Sequence, residues 1–179
     1  MNRDEISFSV QMTPKELFKF TVYHNYHKLS GLIGVAISLI ALLILVTSFG
    51  ELNDRDKTVL TLVAVWFIVF EPVSLIQRAK NQVKRNKTYQ KPLDYCVNAE
   101  GITVSQGEEH QTLPWENIRK IVETKSQYFV YSSNIHAFIF PKSALGEDSE
   151  AVVQLMVQYT KDLGTRYSGE LKKRIGRAE

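Results

Sequence analysis

Residues 29–49 read LSGLIGVAISLIALLILVTSF, 21 positions without a charge. Fifteen are apolar, two are Gly, and the remainder are Ser30, Ser38, Thr47 and Ser48. At about 1.5 Å per residue a helix of this length spans roughly 31 Å, the thickness of a hydrocarbon core. A helix apolar on every side must be buried on every side, and a chain of 179 residues has little with which to bury it. The run is therefore read as a transmembrane span. A signal peptide fits poorly, because 28 residues precede the run and its length exceeds the usual apolar region of about 7–15.

A second run, 58–76, carries one charge, Glu71. Only the polar connection 50–57 separates the two, so they are antiparallel neighbours and 29–77 is a hairpin. Charge sets its direction. The connection holds Arg55 and Lys57. Arg3, Lys15, Lys19 and Lys28 precede the first span. Arg78, Lys80, Lys84, Arg85, Lys87 and Lys91 follow the second with no acid among them. The positive-inside bias places both termini in the cytoplasm. The basic segment 78–91, and Arg78, Lys80, Lys84, Arg85 and Lys87 in particular, is read as non-specific contact with anionic lipid headgroups. No aromatic or glycine pattern of a nucleic-acid motif accompanies it, so nucleic acid is not an expected partner.

Gly31, Gly34, Ser38 and Ala41 recur at helical spacing and give the first span one small-residue face, suited to close backbone approach in lipid. Packing within the hairpin is the expected use, and homodimer contact the alternative. Glu71 precedes Pro72 late in the second span. An acid there is a candidate intramembrane polar site, although it lies within snorkelling reach of the cytoplasmic end, and no second polar residue is evident opposite it. Pro72 is expected to kink the helix.

Ahead of the hairpin, residues 1–28 hold a period-two strand, Ile6, Phe8 and Val10 alternating with polar neighbours. A helix follows, with Thr13 as N-cap, Pro14 at its first position and Glu16 closing a capping box. It is expected to run through Phe18, Val22 and Tyr26 into the first span. Behind the hairpin the period falls to two again. Strands are expected at 93–97, 102–104, 110–115, 118–124, 128–132 and 136–140, divided by short turns. A helix follows at 149–163 with Gly164 as its C-cap. The N-terminal strand is free to join this sheet. The tail 164–179, with Lys172, Lys173 and Arg174, is expected to be mobile.

The stretches LPWENIRKIVET at 113–124 and YFVYSSNIHAFIFPKSAL at 128–145, with the closing helix, resemble the YcxB-like family of bacterial membrane proteins. Trp115, Ile118, Phe140 and Pro141 stand at the family's signature positions. The resemblance implies an α+β membrane protein: a two-helix transmembrane hairpin plus a small antiparallel PH-like β-barrel or sandwich over 92–163, closed by a C-terminal helix. It also implies a multi-pass protein of the bacterial inner membrane, and no defined chemistry. A phosphoinositide site does not fit. The loop taken to join the first two strands, 98–101, has no base, and residues 92–179 carry 10 basic and 12 acidic residues.

No phosphate-binding glycine loop, metal-spaced cluster or nucleophile motif is present, so no catalytic residue, metal ligand or cofactor is expected. His24 and His27 read as interfacial residues, and the single cysteine, Cys96, as a half-buried thiol. The expected function is a non-enzymatic interaction or regulatory module held at the inner membrane. Its partners would be the bilayer and a membrane or cytosolic protein, or a second copy of the chain. The alternative is an oligomeric transport or pore component using Glu71.

Overall fold

Alternating apolar residues in β1 (Ile6–Val10) pair antiparallel with β2 (Leu93–Asn98), in a register that sets Ile6 opposite Val97 and Val10 opposite Leu93. Two strands separated by 82 residues in sequence thus lie side by side. β3 (Gly101–Gln106) and β4 (Glu109–Pro114) continue the sheet in the order β1-β2-β3-β4. A second sheet has the order β7-β6-β5-β8, built from β5 (Lys120–Glu123), β6 (Gln127–Tyr131), β7 (Ala137–Pro141) and β8 (Arg166–Gly169). The computed structural model describes residues 5–27 and 29–176. Arg3 and Lys28, which entered the charge count, and the last three residues of the basic tail lie outside them.

These strands, with α5 (Lys142–Leu145), α6 (Ser149–Thr160) and α7 (Glu170–Ile175), form one of two units. The other is helical and comprises residues 17–85. In the β unit the sheets meet through rings. Phe8 stacks on Tyr95 at 5.5 Å, and Phe140 meets both edge-on at 5.0 and 4.9 Å. Offset and edge-to-face geometries of this kind suit the ring quadrupoles. Burial, with a smaller contribution from Tyr89, pushes the Tyr95 hydroxyl well above its ordinary value. β6 is buried along its whole length, so both its faces are covered. α6 contributes Val152, Val153 and Met156 to the core.

Three expectations are corrected here. The strands form two separate sheets rather than a closed barrel. The described part of the tail, 164–176, is folded: Thr165 is buried and donates to the Ile118 carbonyl at 2.8 Å, β8 pairs parallel to β5, and Leu171 of α7 is 2% exposed. Finally, the turn 98–101 joins the second and third strands. The connection between the first two is the whole segment 11–92.

α1 (Pro14–Tyr26), whose residues from Leu17 onward belong to the helical unit, starts where the capping signal places it, with the Glu16 amide donating to Thr13 Oγ1 at 3.3 Å. It does not continue straight into the apolar run. The segments Pro14–Tyr26 and Gly31–Thr47 are bent by 77°. α2 (Leu29–Thr47) is followed by a short turn, and α3 (Asp54–Val65) begins at Asn53, whose side chain accepts from the Asp56 amide. A π-turn over Trp66–Phe70 then leads into α4 (Glu71–Arg85). Pro72 has no N–H to return to the carbonyl four residues back and its ring crowds that carbonyl. The widened turn ends one residue earlier, with the Glu71 amide reaching the Trp66 carbonyl. Asp54–Arg85 is thus one helix of 32 residues, long and apolar enough to cross a membrane. The bent pair ending at Thr47 makes a second such element if its two parts count as one span.

Candidate functional site

On α2 the small residues share one face, which meets α3 at Ser38 and the end of α1 at Gly31, where a Cβ would collide with the Asn25 carbonyl. Gly34, Ser38 and Ala41 are buried and Gly31 is half-buried, while Leu32, Ile33, Leu39, Ile40, Leu43 and Val46 are exposed. Ser38, fully buried, donates to the Val63 carbonyl at 2.9 Å. Ala64, also buried, lies one residue further along α3. The absence of bulk at these positions is what lets one backbone come within hydrogen-bonding distance of a side chain on the other. Leu62, Trp66, Ile68, Val69 and Phe70 remain exposed on the facing helix.

Glu71, half-buried at the start of α4, accepts a hydrogen bond from Asn25 Nδ2 at 3.3 Å. Asn25 is the polar partner that the sequence did not disclose. It lies 46 positions away, and only the bend between α1 and α2 brings it back. Beyond Glu71 the helix is amphipathic. Leu75 and Ala79 are buried on one face, whereas Arg78, Lys80, Lys84 and Arg85 are exposed, with Lys87 exposed just past the helix end. The basic residues fall on the side of the helix turned from the buried stripe, as a 100° step per residue requires.

The chain re-enters the β unit through a pinned linker. Gln11 Nε2 donates to the Tyr89 carbonyl at 2.8 Å, and Gln106 Nε2 lies 2.9 Å from the Thr88 carbonyl and 3.2 Å from those of Lys91 and Pro92. The signature residues are structural. Trp115, 5% exposed, donates its indole N–H to the Asn98 and Ala99 carbonyls at 3.0 and 3.1 Å and stacks on Tyr159. Ile118 and Phe140 are core residues, and Pro141 ends β7 and begins α5.

An acidic centre appears that sequence reading missed. Glu123, on β5, is 3% exposed. Lys142 Nζ donates to it at 2.7 Å and Arg174 Nη1 at 3.2 Å, and Arg174 also pairs with Glu150. Burial works against the Lys142 ammonium, but the Glu123 hydrogen bond and the charges of Tyr128, Glu123 and Glu170 overcome it and hold its pKa above the ordinary lysine value. Arg174 is shifted upward in the same manner, against its own burial, by Glu150 and Glu123. The cluster ties α5, α6 and α7 to β5 and presents no free charge to a substrate. Burial, then the Glu5 carboxylate, push the Cys96 thiol upward, away from a reactive thiolate. Among the described residues no group of three metal-ligating side chains comes together.

The family model for YcxB-like protein matches residues 97–156, a third of the chain, so this segment is YcxB-like, as its 113–124 and 128–145 stretches suggest. No curated protein matches the chain.

Proposed function

We propose that this chain, YcxB-like over residues 97–156, is a two-span protein of the bacterial inner membrane that holds a non-enzymatic, PH-like interaction module at the cytoplasmic surface. The observation that carries the reading is the β1–β2 ladder. Residues 6–10 and 93–97 pair, so whatever lies between them must leave and return on the same side of any bilayer. That requires an even number of crossings, independently of charge bias. The apolar side chains exposed on α2 and along Asp54–Arg85 supply the surface that lipid would cover. The bases of α4 then sit where anionic headgroups are found, each contributing roughly 1 kcal/mol of attraction near the surface.

In a PH-like arrangement the connection between the first two strands commonly faces the headgroups. Here that connection is the proposed membrane hairpin itself, which replaces a soluble headgroup pocket with a permanent anchor. Confinement raises the module's effective concentration toward membrane-bound partners without catalysis. In intact cells of a Cys96→Ser background, a cysteine placed at Asn53 is expected to react with an impermeant maleimide, and one at Ser126 to react only after lysis. Protection of both, or reaction of both, contradicts the topology. Extraction by alkaline carbonate contradicts the membrane reading itself.

The Asn25–Glu71 pair favours a second reading, an oligomeric transport or pore component in which Glu71 lines the path. Under it, Glu71→Gln abolishes ion or proton flux into reconstituted vesicles while expression and melting stay unchanged. Flux that is absent from wild-type vesicles, or equal in the variant, removes this reading.

A further inference from the structure

The two sheets have four edge strands, and three are managed. α5 lies against β1 and follows directly on β7, itself only five residues long and ending in Pro141, and β8, only four residues long, ends directly in α7. β4 differs. It pairs with β3 alone, runs six residues, and is exposed from Glu109 through Thr112. It has no Lys or Arg, no proline before its last residue and no positive-φ residue, so of the usual devices that blunt an edge it carries one acidic side chain, Glu109, at its first position. Alongside it a groove of about 640 Å³ is floored by Leu93 and Val104 and rimmed by Gln106, Glu109 and Gln111.

We propose that β4 is a self-association edge, pairing antiparallel with β4 of a second copy across a two-fold axis at Gln111. Strand addition satisfies the outward backbone groups and seats alternate side chains in adjacent pockets. This register sets Gln111 against Gln111, His110 against Thr112, and Glu109 against Leu113. No like charges face each other, and each half-buried Leu113 joins the row formed by Val10, Leu93, Gln106 and Glu109 of the other copy, beside the apolar floor of the groove. A basic peptide would suit the acidic rim, but it has no counterpart to this placement of Leu113. The inference identifies the module's partner under the function proposed above, and rests on that reading only for the concentration that membrane confinement supplies.

The test uses the full chain in native membranes in a Cys96→Ser background. Directly opposed residues of an antiparallel pair sit with Cα atoms about 5 Å apart, within disulfide reach, whereas residues on β3 of the two copies are separated by three strand spacings, about 14 Å. Gln111→Cys is expected to give a disulfide dimer under mild oxidant, and Thr103→Cys none. Gln111→Glu and Gln111→Lys alone each lower dimer content of the solubilised protein about fivefold, the effect of one like-charge pair, and mixing the two restores it. Absence of the Gln111→Cys dimer, equal crosslinking at Thr103→Cys, a Gln111→Cys adduct to a different polypeptide, or failure of the mixture to recover overturns the proposal. Carbonate extraction is scored on the same samples, so loss of the membrane reading is distinguished from loss of this one.

Discussion

A fragment spanning 86–176 is expected to lack a cooperative fold, and the same fragment preceded by residues 5–11 through a short Gly/Ser linker is expected to melt cooperatively. Without β1 the fragment loses Ile6 and Val10, 4% and 0% exposed, and the Phe8 ring that lies between Tyr95 and Phe140. Full burial of a side chain of this size contributes roughly 1.5–3 kcal/mol, so removal of Ile6 and Val10 together with the half-buried Phe8 costs about 4–8 kcal/mol. The total stability of a domain is about 5–15 kcal/mol. The strand also covers the edge of β2, which would otherwise expose a row of unpaired backbone groups. Near-ultraviolet circular dichroism through a thermal ramp reads the outcome. Equal midpoints for the two fragments would show that β1 is an accessory rather than a strand of the domain.

That strand was legible because its apolar residues alternate strictly and its neighbours are polar, and the same pattern marked β2, whereas β3 through β7 were marked by short runs set between turns and prolines. β8 was not. Arg-Tyr-Ser-Gly has no apolar alternation, and Gly164, a sound helix stop, reads as the end of the fold. The strand forms because β5 presents an open edge and because Gly169, at φ +72°, passes over the Glu123 carbonyl where any Cβ would collide. Tertiary context, not local propensity, decides such a segment. The bend after Tyr26 was hidden for a related reason: no Pro marks it, and Gly31, where a Cβ would collide with the Asn25 carbonyl, reads from its spacing as part of the small-residue face. Asn25 consequently could not be placed beside Glu71. The hairpin's small-residue face was visible, since spacing alone puts Gly34, Ser38 and Ala41 together on a helix. The acceptor of Ser38, a main-chain carbonyl on the neighbouring helix, leaves no trace in residue type.

The Glu123 centre was equally hidden, its cations lying 19 and 51 positions away, and it gives the second large effect. Lys142→Met is expected to cost about 2–3 kcal/mol. Stripping one partner from a buried pair typically costs about 3–5 kcal/mol, but Lys142 is a quarter exposed and Arg174 still faces the carboxylate, which reduces the loss. Glu123→Gln keeps an acceptor for Lys142 and leaves both cations water to turn to, so it costs about 1 kcal/mol. The double variant is expected to be more stable than Lys142→Met alone, because the buried carboxylate that Lys142→Met leaves with Arg174 as its one cation is removed. The pH dependence has a definite sign. A lysine whose pKa is higher in the folded state than the unfolded value of about 10.5 binds its proton more tightly when folded. Its stabilisation is complete below that value and disappears only as pH rises through the folded one. The difference in melting temperature between wild type and Lys142→Met should therefore be constant from neutral to mildly alkaline pH and shrink only above about 10.5. A gap that closes already between pH 7 and 9, or a double variant no more stable than Lys142→Met, would mean that the pair is incidental and that α7 is held by Leu171 and the β8 ladder alone.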